Sequence, residues 1–165
     1  TGSRMFGFQL LNIAPDIVCL GSSLGNGYPI GAAFFCDRFY GIVETSNNAN
    51  LSSCAAALAT LKLIVEGKLM RRAEQLGEYM RRTLLETIGA HFSVKQIRGL
   101  GLMIEIELNT DEIAADVHNR ASDRGLITGT GGVRKNIIRL TPPLVFSGDM
   151  AELACRILAE TILAL

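Results

Sequence analysis

The stretch GSSLGNGYPIG, residues 21–31, holds the first candidate chemistry in this 165-residue chain. Gly21, Ser23 and Gly25 satisfy the G-x-S-x-G spacing of a serine-hydrolase elbow with Ser23 as nucleophile, and the apolar, strand-like IVCL runs straight into it. An elbow is useful only as a sharp strand-to-helix turn, because the helix N-terminus supports the oxyanion site. Here Gly25 is followed by NGYPIG, whose glycines and proline do not start a helix. A base is also missing. The only histidines are His91, at a helix–strand junction, and His118, on the polar side of a predicted helix; both read as surface residues. A second glycine-rich run, GTGG at 129–132, lacks the G-K-[ST] of a phosphate loop and any following helix, so it reads as a turn between strands. Cys19, Cys36, Cys54 and Cys155 are widely spaced with no C-x-x-C pair, which predicts reduced core thiols in a cytosol-like compartment and no metal site.

The elements that must carry these residues follow from periodicity. DIVCL and IGAAFFC are short apolar strands without polar alternation, expected to be buried on both faces as in the centre of an α/β sheet. SNNAN (46–50) is a loop. CAAALATLKLIV belongs to a helix from about Ser52 to Glu66 that is apolar nearly all round, with Gly67 as its stop. Residues 68–88 form an amphipathic helix with Leu69, Ala73, Leu76, Met80, Leu84 and Ile88 on one face; glutamates between the arginine pairs make the other face solvated rather than a basic patch. LMIEIEL (102–108) alternates, turning Leu102, Ile104, Ile106 and Leu108 to a core and Glu105 and Glu107 outward. A helix at 111–124, strands at 126–128 and 136–140, and a final helix capped by Ser147 and carrying Met150, Leu153, Ile157, Ile162 and Leu165 complete an α/β chain.

Composition bounds the function. Sixteen basic residues balance sixteen acidic ones, so nothing favours nucleic acid or a charged membrane surface, and no apolar run reaches the length of a membrane span. Residues 1–60 hold only five charged side chains (Arg4, Asp16, Asp37, Arg38 and Glu44), which predicts that this segment packs inside a larger domain or a subunit interface. The chain begins at Thr1 and reads as a piece of a longer protein.

GSRMFGFQLLNIAPDIVCLGSSLGNGYPIGA resembles the class III (ornithine, acetylornithine and ω-amino acid type) aminotransferases, pyridoxal-phosphate enzymes of fold type I. The likeness runs without a gap through Pro15, Asp16, Leu24, Gly25, Asn26, Gly27, Tyr28, Pro29 and Ile30. It continues in CAAALATLKLI, VKQIRGLGLMIEIEL and RGLITGTGG…NIIRLTPPL, in order and approximate spacing over essentially the whole chain. The resemblance implies an α/β fold, the C-terminal part of a fold type I aminotransferase. Residues 1–65 would be the remnant of the large, mixed-sheet cofactor domain with an interface helix, and residues 66–165 the small α/β domain. It implies pyridoxal phosphate as cofactor, a homo-oligomer or an association with an N-terminal half, a small amino acid or 2-oxo acid substrate, and a cytoplasmic location.

By this resemblance the family's catalytic lysine, whose amine holds the cofactor covalently and carries protons, falls on Ser22, and a serine hydroxyl can do neither. The threonine that donates to the cofactor phosphate of a partner subunit falls on Ser46, beside Thr45, in a TSNNANLSS segment where the family's Gly-Gly becomes Asn48-Ala49 and its Asn-Pro becomes Asn50-Leu51. Arg139 matches the arginine that grips the substrate carboxylate; the alternative is a strand arginine in a structural salt bridge. The expected outcome is an amino-group-transfer chain that is catalytically impaired, with pyridoxal phosphate bound weakly and non-covalently if at all. Its rivals are a live transaminase completed by an N-terminal half with a lysine from elsewhere, and a non-enzymatic dimerisation or scaffold module.

Overall fold

A computed structural model describes residues 2–39, 41 and 50–165. The chain divides into two compact units, one of residues 4–69 and one of residues 70–165 together with the first three residues.

In the N-terminal unit, β1 (Ile17–Leu20) and β2 (Ala32–Phe35) form a two-stranded antiparallel sheet in which Ile17 faces Phe35 and Leu20 faces Ala32. These strands differ from the double burial expected of them. Ile17 and Phe34 are about half exposed and no residue of either strand is buried, because a two-stranded ribbon has no layer to cover both faces. The helix α1 (Leu51–Glu66) starts on Asn50, whose side chain accepts from the amides of Ser52 at 2.9 Å and Ser53 at 3.2 Å. It ends at Gly67, as expected, but Gly67 keeps a helical φ of −74° and the left-handed residue is Lys68, at φ 52°. Ser53 and Ala57 are buried, whereas Leu51, Leu58, Leu63 and Val65 are exposed.

The C-terminal unit holds α2 (Leu69–Ile88), β3 (Val94–Leu100), β4 (Met103–Leu108), α3 (Asp111–Asp123), β5 (Gly129–Gly131), β6 (Ile137–Leu140) and α4 (Gly148–Leu163). Its sheet is antiparallel throughout, in the order β3-β4-β6-β5. Met80, Leu84 and Ile88 of α2, Val117 of α3 and Leu158 and Ile162 of α4 share one core with Ile104, Ile106, Leu108 and Ile138. The strand alternation and the α2 face follow the expected pattern. VKQIRGL, to which the sequence pattern assigns no element, is a strand, β3, which pairs with β4 as a hairpin. Two readings need correction. The GTGG run is mostly strand: Gly129–Gly131 is β5, and the turn follows it. On α4 the buried face is Ala151, Ala154, Cys155, Leu158, Ala159 and Ile162, while Met150 and Leu153 lie exposed. Ser147 caps α4 as expected, accepting from the Met150 amide at 3.2 Å.

α2 crosses the β3–β4 turn at very short range. A Cβ at Gly77 would overlap the carbonyl of Gly101, which itself holds a φ of 55° between exposed Leu100 and fully buried Leu102.

Candidate functional site

The loop GSSLGNGYPIG folds back on itself. After β1, Ser22–Gly25 make a single 3-10 turn, closed by Asn26 at φ 47° and followed by Gly27 at φ 105°, and the chain then enters β2. No α-helix follows Ser23, so the oxyanion support of a hydrolase elbow is absent from this turn. Gly25 is buried beneath Ile30, and α1 packs against the turn. His91 and His118 belong to the C-terminal unit. His91 Nδ1 lies 2.7 Å from Ser93 Oγ; His118 Nδ1 lies 2.9 Å from the buried hydroxyl of Thr128. Both are half-buried rather than surface residues.

The cysteines are all free, but the expected core thiols reduce to one. Cys155 is buried among the α4 contacts, and loss of hydration pushes its thiol up to about 11; Cys19 and Cys36 are exposed. Among the described residues no cluster of histidine, cysteine, aspartate or glutamate could hold a metal ion, and no helix is long and apolar enough to cross a membrane.

In the C-terminal unit, Arg98, Glu105 and Arg139 stand in register on β3, β4 and β6, a charged row across three neighbouring strands. Glu105 Oε1 accepts from Arg139 Nε at 3.0 Å and Nη2 at 2.8 Å. Glu105 Oε2 accepts from Arg98 Nε at 3.2 Å, and Arg98 Nη1 donates to Glu107 Oε2 at 2.8 Å, which holds the Glu107 carboxyl below the usual carboxylate range. The Arg139 guanidinium lies over β5, where a Cβ at Gly131 would come within 3.0 Å of Nη2. A side chain at Gly131 would crowd the guanidinium and require it to give by a few tenths of an ångström. Arg139 also borders a cavity of about 400 Å³, lined otherwise by residues that include Met80, Leu126, Thr128, Leu140, Pro142 and Phe146. Sequence patterning marked Glu105 only as an outward-facing strand residue; its pairing with Arg139 depends on β4 and β6 being neighbours, which alternation does not reveal.

A family model for class-III aminotransferases matches residues 1–162. The chain belongs to this family. It is 35% identical over 164 residues to the acetylornithine aminotransferase of Methanothermobacter thermautotrophicus, covering 96% of this chain and 41% of that protein. Among solved structures, a Bacillus anthracis aminotransferase superposes with a TM-score of 0.91 at 28% identity, over 99% of this chain and 42% of that one. An Arthrobacter phospholyase in complex with phosphoethanolamine superposes with a TM-score of 0.92 at 28% identity, over 100% of this chain and 42% of that one. The fold is therefore that of a fold type I aminotransferase in part, since the chain spans about two fifths of the length of these relatives.

The family is pyridoxal-phosphate dependent, and the donor set of this chain does not fit that group's covalent attachment. The loop offers Ser22 and Ser23 but no amine, and residues 1–61 contain no lysine. Lys62 is exposed on α1. Thr45 and Ser46, expected at the cofactor phosphate, lie outside the described residues.

Proposed function

We propose that this chain is a class III aminotransferase-type chain in which transfer of an amino group between an amino acid or amine and a 2-oxo acid is impaired. The observation that carries this is the cofactor loop itself. It keeps Leu24-Gly25-Asn26-Gly27-Tyr28-Pro29-Ile30 and the turn those residues build, while a hydroxyl stands at Ser22 where the family chemistry requires an amine. In this reading pyridoxal phosphate associates only non-covalently, with Thr45 and Ser46 toward its phosphate, and Arg139 stands at the substrate end. The substrate class is kept broad, because a relative of the same fold is a phospholyase in complex with phosphoethanolamine, an amine without a carboxylate. Residues 1–65 would be the remnant of the large domain and 66–165 the small one.

The test is borohydride reduction of the protein with pyridoxal phosphate, followed by intact-mass and peptide analysis. The expected result is no pyridoxyl adduct on any lysine under conditions that label a catalytic lysine stoichiometrically; a stoichiometric adduct at one lysine would refute the impairment. A dimerisation or scaffold role is a second reading, favoured by the exposed Leu51, Leu58, Leu63 and Val65 of α1. Light scattering that shows a monomer at all concentrations would exclude it.

A further inference from the structure

Asn26-Gly27 is the sole Asn-Gly pair in the sequence, and it stands in the loop between β1 and β2. Asn26 has φ 47° and ψ 47°, and Gly27 has φ 105°. The Tyr28 amide donates to the Gly25 carbonyl at 3.1 Å, so residues 25–28 form a β-turn with both central residues at positive φ. Both central residues are exposed, and a Cβ at Gly27 would meet open space. Among the described residues, neither the Asn26 carboxamide nor the Gly27 N–H has a hydrogen-bond partner.

These features make a cyclisation site. The Gly27 nitrogen can attack Asn26 Cγ: an N–Cγ bond forms, the bond from Cγ to the carboxamide nitrogen breaks, and ammonia leaves with the Gly27 amide proton. No Cβ on Gly27 hinders the approach. Water then opens the cyclic imide at either carbonyl. Opening at Cγ leaves an ordinary aspartate. Opening at the main-chain carbonyl leaves an isoaspartate, with the chain rerouted through the side chain. Water is the only co-reactant.

The turn withholds this chemistry. At ψ 47° the Gly27 nitrogen lies anti to the Asn26 Cβ about the Cα–C bond, whereas ring closure needs the two nearly eclipsed. Reaching that arrangement swings the Asn26–Gly27 peptide round and breaks the hydrogen bond from Tyr28 to Gly25.

We propose that Asn26 is a modification site, converted by water to aspartate and isoaspartate through the imide with Gly27 and gated by opening of the Gly25–Tyr28 turn. Isoaspartate inserts a methylene into the main chain, and a turn closed between Gly25 and Tyr28 does not re-form around it. The change is a one-way exit from the native loop. It stands on the turn geometry and is independent of the proposed amino-group chemistry.

The experiment incubates the full chain at mildly alkaline pH beside the free peptide of residues 21–31, and follows both by peptide mapping that separates the two isomers. Asn26 should be modified before any other asparagine of the chain and should yield both isomers, isoaspartate in excess. Its rate in the folded chain should fall about fivefold or more below that of the peptide, the factor that one net backbone hydrogen bond supplies. Urea that unfolds the chain should raise its rate to that of the peptide in the same urea. Asn26→Gln, whose longer side chain must close a larger ring, should remove the modification at this position. The proposal is overturned if another asparagine reacts first, if aspartate forms without isoaspartate, or if the folded chain reacts as fast as the peptide or not at all.

Discussion

Gly77→Ala isolates the closest approach in the C-terminal unit. In an unconstrained helix this change would stabilise by about 1 kcal/mol, since glycine is the poorer helix former. Here the new methyl overlaps the carbonyl oxygen and carbon of Gly101. Gly101 cannot rotate away cheaply, because it holds a φ of 55° in the β3–β4 turn and its successor Leu102 is fully buried. The overlap is relieved only by lifting α2 from the hairpin, which loosens Met80 and Leu84 against the core. Overpacking of this kind costs about 3 kcal/mol at the upper end of its usual range, so the net expectation is destabilisation by about 2 kcal/mol. Urea denaturation followed by far-ultraviolet circular dichroism measures this directly. Gly148→Ala at the start of α4, where an added Cβ meets nothing, is the control and should change stability by less than about 0.5 kcal/mol. A Gly77→Ala protein as stable as the wild type, or more so, would refute the packing of α2 on the hairpin turn.

Thiol labelling with iodoacetamide at mildly alkaline pH should modify Cys19 and Cys36 readily and Cys155 only on unfolding, because Cys155 is buried and its thiol is pushed up to about 11. The raised value has a fixed sign. The native state holds the Cys155 proton more tightly than the unfolded chain, so its contribution is complete below pH 9.0 and is lost as pH rises toward about 11; Cys155→Ala should flatten that alkaline decline in melting temperature. The Glu107 carboxyl is held low, chiefly by the hydrogen bond from Arg98, so its stabilising contribution is present above the ordinary carboxylate value and lost as pH falls through its lowered one. Arg98→Gln should return the Glu107 titration, read by carbon-detected NMR, toward the ordinary range.

Much was determined by the sequence alone. The family is legible in GSSLGNGYPIG and in the run through NIIRLTPPL, because a turn built from Asn26, Gly27 and Pro29 tolerates few other residue types. The same eleven residues contain no lysine, a fact of residue type that needs no coordinates. Helix α2 and strand β4 were equally plain, since their apolar periods of 3.6 and 2 register directly which face is buried. Tertiary structure alone decided the rest. VKQIRGL carries no clean alternation and becomes a strand only by pairing with β4, and Gly129–Gly131 becomes β5 only because β6 lies beside it. Arg139 stood out in the sequence as a lone cation, with a substrate carboxylate and a structural ion pair both open to it. Its pairing with Glu105, 34 positions earlier, exists because the sheet order places β4 next to β6. A one-dimensional pattern reports which way a side chain points; which strand it points beside is set by long-range pairing, and the chemistry of Arg139 depends on that neighbour.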